Sequence, residues 1–399
     1  MTDAATEVPQ ASHGELEAAL LERLRRPLSL GRTRKASLAL DVEKGDGWSL
    51  YLESGAVRLG RGLDPDADTT VHTDPTTMVG ILGGHMSGVE AFISGKLRVR
   101  GNLALSLRLS GSVAEEREHP RFPMARDVEA GGVHTFLMEG GEGFPIVALH
   151  GLGATNSSIL PTLWNLATDH RVIAPDMPGF GDSAKPIRSY DAPFFGRWAI
   201  DLLDSLGIEK AHFVGNSLGG RVALEAALLA PDRVDKVVLY APSPAFIRRR
   251  EFTRLVRVLR PEMALLPLPI AHKHIVRSTK SMFSRPERLP ESWYEAAADE
   301  FLRIFRSARG RIAFFSAARQ IYLEEPYGDE GFWDRLKGLK RPSLFLWGER
   351  DRLVPARFAK HVERALPNAH SVVFEDCGHV PQFELPDRTH ELTRDFLAA

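Results

Sequence analysis

The stretch HFVGNSLGGRVALEAALLA, residues 212–230, decides the fold. It opens as an apolar run of strand type and ends as an alanine- and leucine-rich run of helix type, with G-N-S-L-G between them and no loop. A strand that turns into a helix this abruptly needs small residues at Gly215 and Gly219, and it pushes Ser217 out at the carboxyl end of the strand, above the helix's first turn. A serine hydroxyl is a poor nucleophile at neutral pH, so it needs a base within hydrogen-bond reach and a carboxylate to orient that base. Both candidates lie downstream. Residues 344–351, LFLWGERD, are an apolar strand ending in a polar loop, which places Asp351 at the carboxyl edge of a sheet, with Glu349 as a competitor in the same loop. Residues 372–379, VVFEDCGH, repeat the pattern and bring His379 to the same edge. Asp376 is too close to His379 along the loop to orient it, and Cys377 reads as a packed thiol.

Working outward from this centre, short apolar runs recur at 146–149, 172–174, 213–214 and 237–240, then again at 344–347 and 372–374, with helical patterns at 195–206 and 221–229 between them. Short runs of this kind suit strands buried on both faces of a parallel sheet, so the class is α/β with a doubly wound sheet. Residues 243–336 break the rhythm. They are too long for a loop and carry arginine-rich helical patterns, so an inserted helical cap is expected there. Between Arg248 and Lys280 the cap holds nine Lys or Arg against two Glu, around the apolar stretch MALLPLPI at 263–270. That combination suits either a solvated basic face or an apolar mouth with a basic rim that meets anionic lipid or a membrane surface.

These motifs, together with VALHGLGAT at 147–155 and APDMPGFGDS at 174–183, resemble the α/β-hydrolase family over about residues 128–397. In that family the chain order is serine, acid, histidine. The resemblance implies a triad of Ser217, Asp351 and His379, with Asp351 favoured over Glu349 because WG-x-x-D-x-x-VP is similar to the family's acid loop. It also implies an oxyanion hole from the backbone N–H groups of Leu218 and Leu152, with Gly153 open as an alternative to Leu152. His150 and Asp176 would then be structural. Serine at the elbow argues against epoxide hydrolases and haloalkane dehalogenases, which carry aspartate there. GNSLGG is also similar to the elbow of hydrolases that cut a carbon-carbon bond in ring-cleavage diketones, but those tend to carry an aromatic after the catalytic histidine, and Val380 stands here.

The first part of the chain is different. Residues 15–26 have helical periodicity, and 38–42 and 48–52 alternate at period two between glycine- and aspartate-rich turns, an antiparallel meander with helices. The expected organisation is a disordered tail over 1–13, an α+β domain over 14–112, a polar linker over 113–126 and the hydrolase over 127–399. Residues 66–109, DADTTVHTDPTTMVGILGGHMSGVEAFISGKLRVRGNLALSLRL, resemble the sterol-carrier-protein type 2 family, which implies an apolar tunnel that holds lipid. The leucines at 103, 105, 107 and 109 fit a strand by period two and a helix by the spacing of 103 and 107; the resemblance favours the helix.

Composition is that of an ordinary globular chain. Its 399 residues are 43% hydrophobic and 26% charged, with a formal net charge of -1, so no nucleic-acid footprint is expected. One cysteine, Cys377, rules out an internal disulfide, and the polar start lacks the basic and apolar regions of a signal peptide, so a cytoplasmic address is expected. No cofactor or metal is expected. The expected function is hydrolysis of a lipophilic ester or thioester, the N-terminal domain binding or delivering the apolar portion. Carbon-carbon hydrolysis, or lipid carriage on a non-catalytic scaffold, are the alternatives.

Overall fold

The computed structural model describes residues 13–24, 35–43, 47–53, 56–113, 120–245, 264–265 and 269–399. They fall into two units that divide after Met124.

The first unit is a five-stranded sheet of β1 (Lys35–Val42), β2 (Trp48–Glu53), β3 (Ala56–Arg61), β4 (Thr69–Thr73) and β5 (Leu97–Gly101), in the order β3-β2-β1-β4-β5. The meander expected for the first strands holds for β1, β2 and β3, but β4 adds to the other edge of β1 in parallel. Among the described residues four helices accompany it: α1 (His13–Leu24), α2 (Pro75–Leu82), α3 (Gly88–Ile93) and α4 (Leu103–Val113). The start of α2 is set by Asp74, whose carboxylate accepts Thr77 N at 2.9 Å, with Pro75 pre-set for the first turn. The leucine-rich end of this unit is helix α4, with Leu103, Leu105 and Leu107 all buried. Gly101 turns the chain from β5 into α4 at φ +88°, where a methyl would lie 2.2 Å from Asp68 O, so only glycine fits.

The second unit is an eight-stranded sheet of β6 (Met124–Ala130), β7 (Val133–Gly140), β8 (Pro145–Leu149), β9 (Arg171–Pro175), β10 (Ala211–Asn216), β11 (Val234–Tyr240), β12 (Ser343–Gly348) and β13 (His370–Phe374). The order is β13-β12-β11-β10-β8-β9-β7-β6, with β8 to β13 parallel and β7 antiparallel to β9. The strand β6 opens at Met124, inside the stretch read as linker. The sheet packs against α5 (Leu160–Leu166), α6 (Ala192–Ser205) and α7 (Leu218–Leu229), and its core includes Phe136, Trp198, Phe213 and Trp347. After β8 the chain moves to one side of the sheet, to β9; after β10 it moves to the other, to β11. Loops leaving neighbouring strands in opposite directions open a crevice at their carboxyl ends. Among the described residues between β11 and β12 there is no strand, only helices such as Glu291–Arg306 and Ala308–Leu323. Most of the basic, apolar stretch expected to rim the cap lies outside the described residues; its described end, helix His272–Lys280, buries no side chain.

Candidate active site

The crevice between β8 and β10 receives the serine. Ser217 sits at φ 54° and ψ -114°, one of three non-glycine residues with positive φ among those described. Such a backbone costs on the order of 1–3 kcal/mol and persists because the surrounding structure forces it. The forcing is visible: a methyl on Gly215 would meet the backbone of Gly219 at 2.3 Å, and one on Gly219 would meet Leu149 O at 2.2 Å. Leu218 opens α7, whose first turn closes with Arg221 N donating to Ser217 O. The N–H of Leu218 is therefore among those that a helix start leaves without an intrahelical partner.

The structure brings the three expected side chains' elements together. Asp351, in the loop after β12, accepts Leu353 N and Val354 N on Oδ1 at 2.7 and 2.9 Å. Its Oδ2 meets His379 Nδ1 at 2.7 Å, with both side chains buried. The partner of His379 is thus Asp351; Glu349 is exposed at the end of β12. With Nδ1 occupied, Nε2 is the ring nitrogen left for a further partner. The loop carrying the histidine is held from below by Glu384, which accepts Gly378 N and Ser284 N at 2.7 Å each, and by His379 N donating to Met282 O at 2.8 Å. Cys377 is buried in this loop, and burial with the nearby Glu384 and Asp351 carboxylates pushes its thiol well above the ordinary range, which suits packing and not nucleophilic attack. Asp376 faces Arg285, Arg288 and Arg350 in an ion-pair cluster and does not reach His379 through any of them.

The loop expected to supply the second oxyanion donor follows β8. A methyl placed on Gly151 would lie 3.5 Å from Ser217 Cβ, so the turn from Gly151 to Ala154, which contains Leu152 and Gly153, borders the serine. His150 braces that turn: it accepts Met177 N on Nε2 at 2.9 Å, so its Nδ1 donates to Gly151 O at 2.8 Å. Burial pulls its pKa down to about 4, which keeps it neutral and in that tautomer. Asp176 is fully buried and accepts Asn156 N and Asp182 N at 2.7 Å, shaping the loop after β9.

Three features escaped the sequence reading. Asn216, preceding the serine, donates to Tyr240 O and His379 O. Phe301 and Phe314, on two helices of the inserted region, crowd Gly153, where a methyl would meet them at 3.0 and 2.8 Å; their rings pack edge to face at 5.6 Å. Glu384 completes the set. The only signal available for any of them was the asparagine within GNSLGG.

Residues 145–386 match the model of the alpha/beta hydrolase fold family. The chain is an α/β-hydrolase. Its residues 19–113 match the SCP-2 sterol transfer family, so the hydrolase carries an N-terminal domain of that type. A 2-hydroxymuconate semialdehyde hydrolase of Pseudomonas putida is 31% identical over 299 residues, spanning 69% of this chain and 94% of that protein. Among solved structures, a serine hydrolase involved in carbazole degradation is 25% identical, with a TM-score of 0.56 over 69% of this chain and 99% of its own. A bacterial membrane phospholipase A is 26% identical, with a TM-score of 0.58 over 70% of this chain and 86% of its own.

The N-terminal domain of this α/β-hydrolase holds a cavity of its own. It comprises about 780 Å³ of atom-free space, counting its open mouth, between the sheet and helices α1 to α4. Leu38, Val71, Met78, Phe92 and Leu103 are representative of its wall, in which Ser106 has the only polar side chain among the described residues. Among the described residues of either domain, no helix is long and apolar enough to cross a membrane.

Proposed function

We infer that this α/β-hydrolase cleaves a lipophilic carboxylic ester or thioester through an acyl-enzyme on Ser217, and that its N-terminal domain holds the apolar portion of the substrate. The observation that carries this reading is the pairing, in one chain, of a hydrolytic site bordered by Phe301 and Phe314 with a separate, almost wholly apolar cavity. In the reaction, His379 Nε2 takes the Ser217 proton as Oγ attacks the acyl carbon. The oxyanion is met by the N–H groups of Leu218 and Leu152, and His379 returns the proton to the leaving alcohol or thiol. Water, deprotonated in turn by His379, then releases the acid. Asp351 holds the imidazole in the tautomer that accepts at Nε2.

A second reading is favoured by named relatives: hydrolases of 2-hydroxymuconate semialdehyde and of 2-hydroxy-6-oxo-6-phenylhexa-2,4-dienoate act on carbon skeletons from ring cleavage. The same serine and histidine would serve, with a carbon leaving group protonated in place of an oxygen or sulfur. Steady-state kinetics of the purified full chain on matched long-chain esters, thioesters and a 2-hydroxy-6-oxo-dienoate separate the two. Esters or thioesters with the highest kcat/KM support the first reading; a diketone with the highest value replaces it. Lipid binding with no turnover of any of them would leave the chain a carrier.

A further inference from the structure

The wall of the N-terminal cavity has one flaw as a hydrocarbon container. Ser106 and Leu107 follow Leu103 on α4 by three and four residues, so both share its helix face, and all three line the cavity. The serine is only 7% exposed, and its Oγ has no hydrogen-bond partner among the described residues. The usual outlet for a helical serine is the carbonyl one turn back. Here that carbonyl, Asn102 O, is already engaged by Thr69 Oγ1 at 2.9 Å. A buried hydroxyl with no partner is destabilising, and an alanine at the same place on the helix would avoid the cost.

We propose that Ser106 is the polar anchor of the cavity and that the cargo is a neutral lipid carrying an oxygen within its buried part, an ester carbonyl above all, and neither a pure hydrocarbon nor an ionised fatty acid. The hydroxyl donates to the carbonyl oxygen and so gains the partner it lacks in the empty protein. An ionised carboxylate would need a cation at the same depth, and none of the described residues lining the cavity is charged. A fatty acid must therefore leave its head at the mouth and forgo the anchor. This deepens the delivery reading, on which it rests: the cavity prefers the uncleaved ester to the acid that hydrolysis yields, so cargo flows toward the hydrolytic site and product is not recaptured.

The test uses the full chain bearing Ser217→Ala, so that no ester is consumed, with and without Ser106→Ala. A fluorescent apolar probe bound to the protein is displaced by a long-chain methyl ester, the matching carboxylate and the matching alkane. The expected result is an ester affinity roughly ten-fold above that of the alkane, the worth of about one hydrogen bond and one relieved hydroxyl, and loss of that preference in Ser106→Ala. Ser106→Ala should also raise the melting temperature of the ligand-free protein, and the gain should shrink when the ester is bound. Equal affinity for ester and alkane in the serine protein, or a preference that survives Ser106→Ala, overturns the anchor while leaving lipid binding intact. Failure of all three ligands to displace the probe overturns the delivery reading and the anchor together.

Discussion

The side-chain amide of Asn216 donates to the backbone carbonyl of His379 at 3.1 Å and to that of Tyr240 at 3.0 Å. One buried amide thus spans the end of β10, the end of β11 and the loop after β13, and it fixes the distance between the residue before the nucleophile and the backbone of the base. Replacing it by aspartate would set carboxylate oxygens against two carbonyls. Asn216→Asp should lower kcat by roughly ten- to a hundred-fold through misplacement of the histidine, with a smaller effect on KM. Asn216→Ala should cost about 1–3 kcal/mol of stability by leaving buried carbonyls short of a donor. Kinetics and urea denaturation of the two variants check this; an unchanged kcat in Asn216→Asp would remove the positioning role.

The acids separate by geometry. Because Asp351 meets His379 Nδ1 at 2.7 Å and Glu349 is exposed, Asp351→Asn should depress kcat by about four orders of magnitude through the wrong tautomer, with Glu349→Gln nearly silent. Ser217→Ala and His379→Ala should each lose on the order of a million-fold, because the two act as a unit. Labelling by a fluorophosphonate at Ser217, lost in His379→Ala, is the independent readout.

The fold was legible, as was the placing of Ser217, Asp351 and His379 just after strand ends, because both are written in local patterns. A strand buried on both faces must be an apolar run, and β8 to β12 announce themselves so; β13, at the sheet's edge with only Phe374 buried, is marked by Val372, Val373 and Phe374 in a row. The elbow needs glycine at 215 and 219 for steric reasons that appear directly as clashes of 2.3 and 2.2 Å. The strand β6 went unread because it is a partly exposed strand whose residues, MARDVEA, give no apolar run. The helix α4 was ambiguous because Leu103, Leu105 and Leu107 are all buried, which erases the one-sided pattern that marks a helix. Asn216, Glu384, Phe301 and Phe314 act across long separations in sequence, and neither spacing nor composition says which loop they will meet.

Buried histidines set the acid limit of the fold. Burial pulls the pKa of His150 down to about 4 and that of His390 to about 3, against about 6.5 in the unfolded chain. Both are neutral in the folded protein, so the unfolded chain binds more protons below pH 6.5, and stability present above that pH is lost as it falls toward about 4. Asp176 works the other way: burial first, then the neighbouring Asp182, raises it to about 6, so its term favours the folded state most below 3.8 and fades as pH rises through 6. Stability from urea denaturation should fall between pH 6.5 and 4. The slope should lessen by about 1.4 kcal/mol per pH unit in His390→Gln and steepen in Asp176→Asn. A slope near pH 5 that neither substitution alters would contradict the assignment of these groups.

The two domains share a chain for a reason that truncation can test. Ser217, Asp351 and His379 all belong to the unit that begins at Ala125, and the apolar cavity is lined by residues of the unit before it. If the cavity holds the substrate, the tether makes its transfer intramolecular, with an effective concentration that reaches the millimolar range for short flexible linkers. That advantage matters for a substrate whose free concentration is micromolar or less and is worth nothing for one that dissolves freely. Removing residues 1–115 should therefore leave kcat/KM for a short soluble ester within about two-fold of the full chain, and should lower turnover of a long-chain ester at low substrate by roughly ten-fold or more. Raising the long-chain ester toward saturation should close the gap, because delivery acts on the encounter and not on the chemistry. Equal loss on both substrates would make the N-terminal domain a structural support of the hydrolase, and equal retention would make it a separate binding module with no part in catalysis.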